Sequence, residues 1–156
     1  MRYFFDTEFI EDGRTIDLIS IGIVDETGRG YYAASGDADL RKASPWVRQN
    51  VLPQLPPYAY PLWKPRVQIR DDVLTFVTGE PEFWAYYAAY DWVALCQLFG
   101  TMMDLPKGWP KYCRDLKQLS VSVGSPQHPP QLSGVHDALA DARWNRELYE
   151  FLTRPK

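Results

Sequence analysis

The chain has 156 residues, 46% hydrophobic and 15% aromatic, enough for one packed domain spanning 1–156 and too apolar to stay disordered. A formal net charge of −3 and a pI of about 5.4 exclude a protein that coats nucleic acid through a broad basic surface. There is no secretory core at the start and no run near the ~18 apolar residues of a membrane span. The two cysteines, Cys96 and Cys113, form neither CxxC nor a zinc spacing, so a cytoplasmic protein with reduced thiols and no membrane association is expected.

Arg2–Phe9 reads as a strand on Tyr3, Phe4 and Phe5. After a turn at Glu11-Asp12-Gly13, Thr15–Asp25 is apolar on both faces, the pattern of a central strand. Thr27-Gly28 and Gly30 turn the chain into Tyr31–Ala34, completing an antiparallel meander. Ser44 as cap and Pro45 in the first position start a short helix. Residues 53–65 hold Pro53, Pro56, Pro57, Pro61 and Pro65 and read as an irregular loop. Val67–Val77 carries a helical stripe. Glu82–Tyr90 is predicted as a strand, and Trp92–Phe99 as a helix with Trp92, Leu95, Cys96 and Phe99 on one face. Loops are expected at 101–112 and 124–134, and helices at Asp115–Val123 and Ala138–Leu152. Strands first, then strand and helix in alternation, predict an α/β domain with a mixed sheet and flanking helices.

Asp6 and Glu8 are two apart on a strand and so share a face. Two anions on one buried face repel and are costly to desolvate, and a cation resolves the conflict. The neighbouring Phe4, Phe5 and Phe9 argue against a solvated edge. Asp91 follows the apolar run Tyr86–Tyr90 and precedes a helix, where α/β folds place ligand sites; a plain helix cap is the competing reading. Asp141 falls on the inward stripe of the terminal helix with Ala138, Ala142, Asn145 and Leu148, and a core-facing carboxylate wants a partner. His136 sits on the entering loop after Gly134, with Asp137 or its neighbour as the expected cap. A histidine there can accept a proton near neutral pH. His128, among Gln127, Pro129 and Pro130, is read as structural.

Asp-x-Glu on the first strand, a mid-chain Asp after a strand, and His-x4-Asp opening a terminal helix resemble the DEDDh exonucleases of the ribonuclease H-like fold. His136-Asp-Ala-Leu-Ala-Asp-Ala142 is very like the third motif of that family, and the resemblance covers nearly the whole chain. DTEFIEDG at the start and GVHDALADARWNRELYEFL near the end are most like its compact bacterial polyadenylate-specific exoribonucleases. The sequence departs from many relatives in placing Phe9-Ile10 after the first Glu, and Ala88-Ala89-Tyr90 before the mid-chain Asp.

The resemblance implies that Asp6, Glu8, Asp91 and Asp141 hold two Mg²⁺ or Mn²⁺ ions, with Asp6 bridging, and that His136 takes the proton from the attacking water. Hard oxygen ligands suit these ions, which sit about 4 Å apart in two-metal sites. The two cations would also carry the acidic chain near neutrality. The resemblance further implies 3′→5′ removal of nucleotides from single-stranded RNA, a preference for adenylate tails, and a homodimer, for which the 53–65 loop offers contact surface. Phe9 and Trp92, each following a motif carboxylate, are candidates for stacking on a base. Lys64, Arg66, Arg70, Lys107, Lys111, Arg114 and Lys117 are candidates for phosphate contacts. A DNA exonuclease, a phosphodiesterase for short oligonucleotides and an inactive RNA-binding module remain as alternatives.

Overall fold

The computed structural model describes residues 1–155. Three antiparallel strands form its centre: β1 (Arg2–Glu11), β2 (Ile16–Asp25) and β3 (Gly30–Ser35). The turn between β2 and β3 is tied by the Asp25 carboxylate, which accepts from the backbone N–H groups of Thr27 and Arg29. Shorter strands extend the sheet in parallel. β4 (Trp63–Lys64) lies beside β3, β5 (Glu82–Ala85) beside β1 and β6 (Arg114–Asp115) beside β5, giving the order β4-β3-β2-β1-β5-β6. The helices are α1 (Pro45–Asn50), α2 (Arg66–Phe76), α3 (Ala89–Gln97), α4 (Leu116–Ser122) and α5 (Ala138–Leu152). Among the described residues no helix is long and apolar enough to cross a membrane.

Alternation along β1 divides the core. Tyr3 and Phe5 pack with Ile21, Ile23 and Phe83 against Ile69 and Val73 of α2 and Trp92 and Leu95 of α3. Phe4 points the other way and packs with Trp84 against Leu116 of α4 and Leu148 and Leu152 of α5. A smaller cluster joins Ile10 and Ile19 to Val47 and Val51, seating α1 at the far end of β1.

Two departures from the sequence reading shape the site. The strand predicted over Glu82–Tyr90 stops at Ala85, and α3 begins at Ala89. Asp115 accepts a hydrogen bond from the Ala88 N–H and Tyr87 takes φ +54°, so the chain turns where its aromatic run favours extension. β5 therefore pairs with β1 only along Arg2–Phe4, leaving that edge of β1 open from there on. The second departure is β4, which lies inside the proline-rich stretch expected to be irregular.

Gly22 sets the position of α5. It pairs with Asp6 across β1–β2, and a Cβ at Gly22 would stand 2.2 Å from the Ala138 carbonyl oxygen. Only a residue without a side chain lets the first turn of α5 rest on the sheet there. Farther along the helix, Asn145 Nδ2 donates to the Phe5 carbonyl at 2.9 Å and fixes α5 to β1.

Candidate active site

The open edge of β1, the first turn of α3, the start of α5 and the face of α1 enclose a cleft of about 620 Å³. Asp6 and Glu8 enter it from β1, Asp91 from α3, and His136 and Asp141 from the start of α5. Glu11 adds another carboxylate, and among the described residues no Lys or Arg lines the cleft.

Each side chain is placed by an identifiable local cause. Thr7 lies on the edge that β5 leaves unpaired, and Asp91 takes the place of a strand partner. Its Oδ1 accepts from the Thr7 backbone N–H at 2.9 Å and from Thr7 Oγ1 at 2.7 Å. Asp137 caps α5 by accepting from the Ala140 N–H at 2.8 Å. His136, just before the cap, takes φ +67°. Its backbone N–H donates to Asp141 Oδ2 at 3.1 Å, while Gln131 Nε2 donates to Asp141 Oδ1 at 2.5 Å. A ring nitrogen of His136 and carboxylate oxygens of Glu8 and Asp141 all lie within 4.8 Å of one another.

The electrostatics follow from this crowding. Burial, then the charges of Asp91, Glu8 and Asp141, raise the Asp6 carboxyl well above the usual carboxylate range. Burial and the charges of Asp141 and Asp91 push Glu8 up to about 8. Asp91 is raised to about 6 by burial, against the opposing hydrogen bonds from Thr7. Asp141 is raised by burial despite its bonds from Gln131 and His136. Such carboxylates cannot all ionise beside one another without a cation. A divalent ion with hard oxygen ligands fits the donor set that the cleft presents.

A family model described as the 3′-5′ exoribonuclease Rv2179c-like domain matches residues 1–153. The chain belongs to this family. It is 52% identical over 157 residues to the 3′-5′ exoribonuclease Rv2179c of Mycobacterium tuberculosis (strain ATCC 25618 / H37Rv), covering 98% of this chain and 94% of that protein. The 3′-5′ exoribonuclease MT2234.1 of M. tuberculosis strain CDC 1551 / Oshkosh matches with the same identity and coverage.

Among solved structures, a zinc-bound complex of E. coli ExoI with single-stranded DNA is similar at TM-score 0.67 and 13% identity, over 96% of this chain and 39% of that one. Apo exonuclease I is similar at TM-score 0.67 and 13% identity, over 97% of this chain and 41% of that one. This chain thus spans about two-fifths of exonuclease I, and the likeness is one of fold. The exonuclease resemblance read from the sequence and the α/β mixed-sheet fold are both borne out.

The structure brings Asp6, Glu8, Asp91, His136 and Asp141 to one cleft, with Phe9 on its wall. The β1–β2 register slips after Glu8, so that Phe9 pairs with Leu18, and its ring stands edge-on to Tyr90 at 5.8 Å. Trp92 is a correction. It is 9% exposed and packs against Phe5 and Phe83 in the core, because it belongs to the apolar stripe of α3, whereas Tyr90 and Asp91 turn toward the cleft. Asp91 itself lies inside the first turn of α3 rather than at a strand end.

None of the basic candidates lines the cleft. Lys64 pairs with Asp72, Arg66 with Asp17, Arg70 with Asp71 and Arg114 with Glu82. His128 is structural as expected, sharing a 2.7 Å hydrogen bond with Ser120 and packing edge-on against Tyr86.

Sequence reasoning passed over Thr7, Gly22, Gln131, and the cleft aromatics Trp46, Tyr87 and Tyr90. Gly22 alone carried a legible signal, a glycine inside a run of Ile and Val. Thr7 and Trp46 meet the site through contacts remote in sequence, with Asp91 and His136.

Proposed function

We propose that the cleft is a divalent-metal-dependent 3′→5′ exoribonuclease centre acting on single-stranded RNA, with adenylate tails preferred. The observation that carries the proposal is the convergence of Asp6, Glu8, Asp91, Asp141 and His136 in a cleft that no Lys or Arg lines among the described residues. Membership in a family described as 3′-5′ exoribonucleases supports the same reaction. Asp6, Glu8, Asp91 and Asp141 would hold two Mg²⁺ or Mn²⁺ ions. When bound, such ions generate a nucleophile from water and stabilise the charge on the attacked and departing oxygens.

The chain's own groups supply the rest. Thr7 holds one oxygen of Asp91, leaving the other free to face the cleft. His136 accepts the proton of the attacking water, and Phe9 and Tyr90 offer apolar ring surface to the terminal nucleotide. Stacking favours purines but tolerates any base. The adenylate preference therefore rests on likeness to the polyadenylate-specific members of the exonuclease family. The protein is further proposed to be cytoplasmic, where the free thiols of Cys96 and Cys113 persist, and homodimeric, with the exposed Tyr58 and Tyr60 of the 53–65 loop as contact surface.

The test is a sizing gel of 5′-labelled A-, C-, G- and U-homopolymer RNA and of DNA strands, with Mn²⁺ or with EDTA. RNA shortened from its 3′ end, fastest for the adenylate polymer and only with metal, is the expected result. Full activity in EDTA ends the metal reading. Equal rates on all homopolymers remove the adenylate preference, and equal rates on DNA remove the sugar preference. RNA bound but never shortened identifies an inactive binding module. His136→Ala is expected to slow release by about 10²-fold. Light scattering that gives a single 18.1 kDa species at micromolar concentration removes the dimer.

A further inference from the structure

A catalytic histidine ordinarily owes its orientation to a hydrogen bond from its second ring nitrogen to a carboxylate or carbonyl. His136 lacks that device. Among the described residues its ring makes no hydrogen bond, and the bond it does make is from its backbone N–H to Asp141. It sits on a loop residue with φ +67°, and its neighbour Val135 is exposed, so the adjacent chain gives little packing to the ring. What the ring does meet is Trp46, edge to face, with centroids 4.9 Å apart and planes at 79°.

Trp46 is 54% exposed, which is unusual for the largest apolar side chain, yet its platform is well fixed. Ser44 caps α1 by accepting from the Val47 N–H. Val47 and Val51 bury the other side of the helix against Ile10 and Ile19. Ile10 is two residues beyond Glu8 on β1, so the strand that presents the carboxylates also seats the helix that meets the histidine.

We infer that Trp46 is a positioning residue that orients the His136 ring, in place of the usual hydrogen-bonding partner. The inference rests on the reading of His136 as the base. Tyr87 and Tyr90, also exposed in the cleft, pack their rings on Tyr86 and Phe9 rather than on His136, and are left to face the nucleotide.

The experiment is a double-mutant cycle, measuring kcat and KM for release of mononucleotide from an RNA oligonucleotide at saturating Mn²⁺. The proteins are wild type, Trp46→Ala, Trp46→Phe, His136→Ala and the Trp46→Ala/His136→Ala double variant, with folding checked by thermal melts. Trp46→Ala is expected to lower kcat about 10-fold with KM within about 2-fold, the scale of a misplaced catalytic group. Trp46→Phe restores most of that loss. In the His136→Ala background, removing Trp46 changes kcat by less than about 2-fold, since residues acting as one unit are not additive.

A loss as large in the His136→Ala background as in wild type overturns the inference. So does a rise in KM at unchanged kcat, which marks Trp46 as a wall that stacks on the nucleotide. If His136→Ala itself leaves kcat unchanged, the base assignment fails and this inference with it. An intact His136 effect with an additive Trp46 effect overturns the inference alone.

Discussion

Two groups of carboxylates stand on the β1–β2 pair, and their surroundings are opposite. Asp25, at one end, is only 2% exposed, yet its carboxyl lies below the usual range. Burial raises it, but Thr27 and Arg29 outweigh that with bonds from Thr27 Oγ1 at 2.6 Å and Arg29 Nε at 3.0 Å, besides two backbone N–H groups. Asp6 and Glu8, farther along the same pair, are raised by burial and then by the charges of neighbouring cleft carboxylates, Asp91 and Glu8 for Asp6 and Asp141 and Asp91 for Glu8, and among the described residues no Lys or Arg lines the cleft. Desolvation acts at both places, and the difference lies in who answers the charge. Asp25 is satisfied within its own turn and serves the hairpin. The cleft carboxylates have no such answer among the described residues, a contrast expected between a candidate binding site and a structural ion pair.

The comparison can be broken at its strongest point first. Asp6→Asn is expected to remove essentially all mononucleotide release in Mn²⁺ and, in EDTA, to raise the melting temperature, because it relieves repulsion. A metal-free Asp6→Asn protein that melts lower than wild type contradicts the account of the cleft. Asp25→Asn should do the reverse. Losing charge-assisted bonds around a buried group costs about 2–3 kcal/mol of stability by denaturant titration, with kcat unchanged. Little change in stability would make Asp25 a bystander.

Third, Mn²⁺ at about 100 times its Kd should stabilise the wild type by about 2.7 kcal/mol and Asp6→Asn far less. Equal shifts in the two proteins would place the ion elsewhere.

A further expected effect is in pH. Glu8 at about 8 and Asp91 at about 6 are raised in the folded state, so between the ordinary carboxylate range and about pH 8 the native protein binds more protons than the unfolded chain. Stability without metal must then fall as pH rises across that window. Asp25 works the other way: its contribution is present above its ordinary value of 3.8 and is lost as pH falls through its lowered folded value. Melts in EDTA from pH 5 to 8 should decline, and saturating Mn²⁺ should flatten or reverse the trend, since metal binding displaces protons. A flat profile in EDTA would show the cleft carboxylates to be solvated and independent.

Much of the site was legible in the sequence because its causes are local. Strand alternation put Asp6 and Glu8 on one face, and helical spacing put Asp141 in the first turn of the last helix behind an Asp137 cap. The same spacing held Trp92 on an apolar stripe, yet its place beside Asp91 invited a functional reading that the packing of Phe5 and Phe83 overrules. The early end of β5 was not legible, since the carboxylate of Asp115 that draws Ala88 into a turn lies 27 residues away. Nor was the hold of Thr7 on Asp91, 84 residues apart, or the meeting of Trp46 with His136.

The sequence by itself determined which residues carry charge, which faces are apolar and where the meander and terminal helix run, because these follow from residue chemistry and the 2.0 and 3.6 periodicities. The tertiary structure alone decided that β1 keeps an open edge, that α5 rests on Gly22, and that the carboxyl groups of Asp6, Glu8, Asp91 and Asp141 share one cleft. Those outcomes depend on close packing between segments distant in the chain, where a single absent side chain or unpaired strand edge sets the geometry.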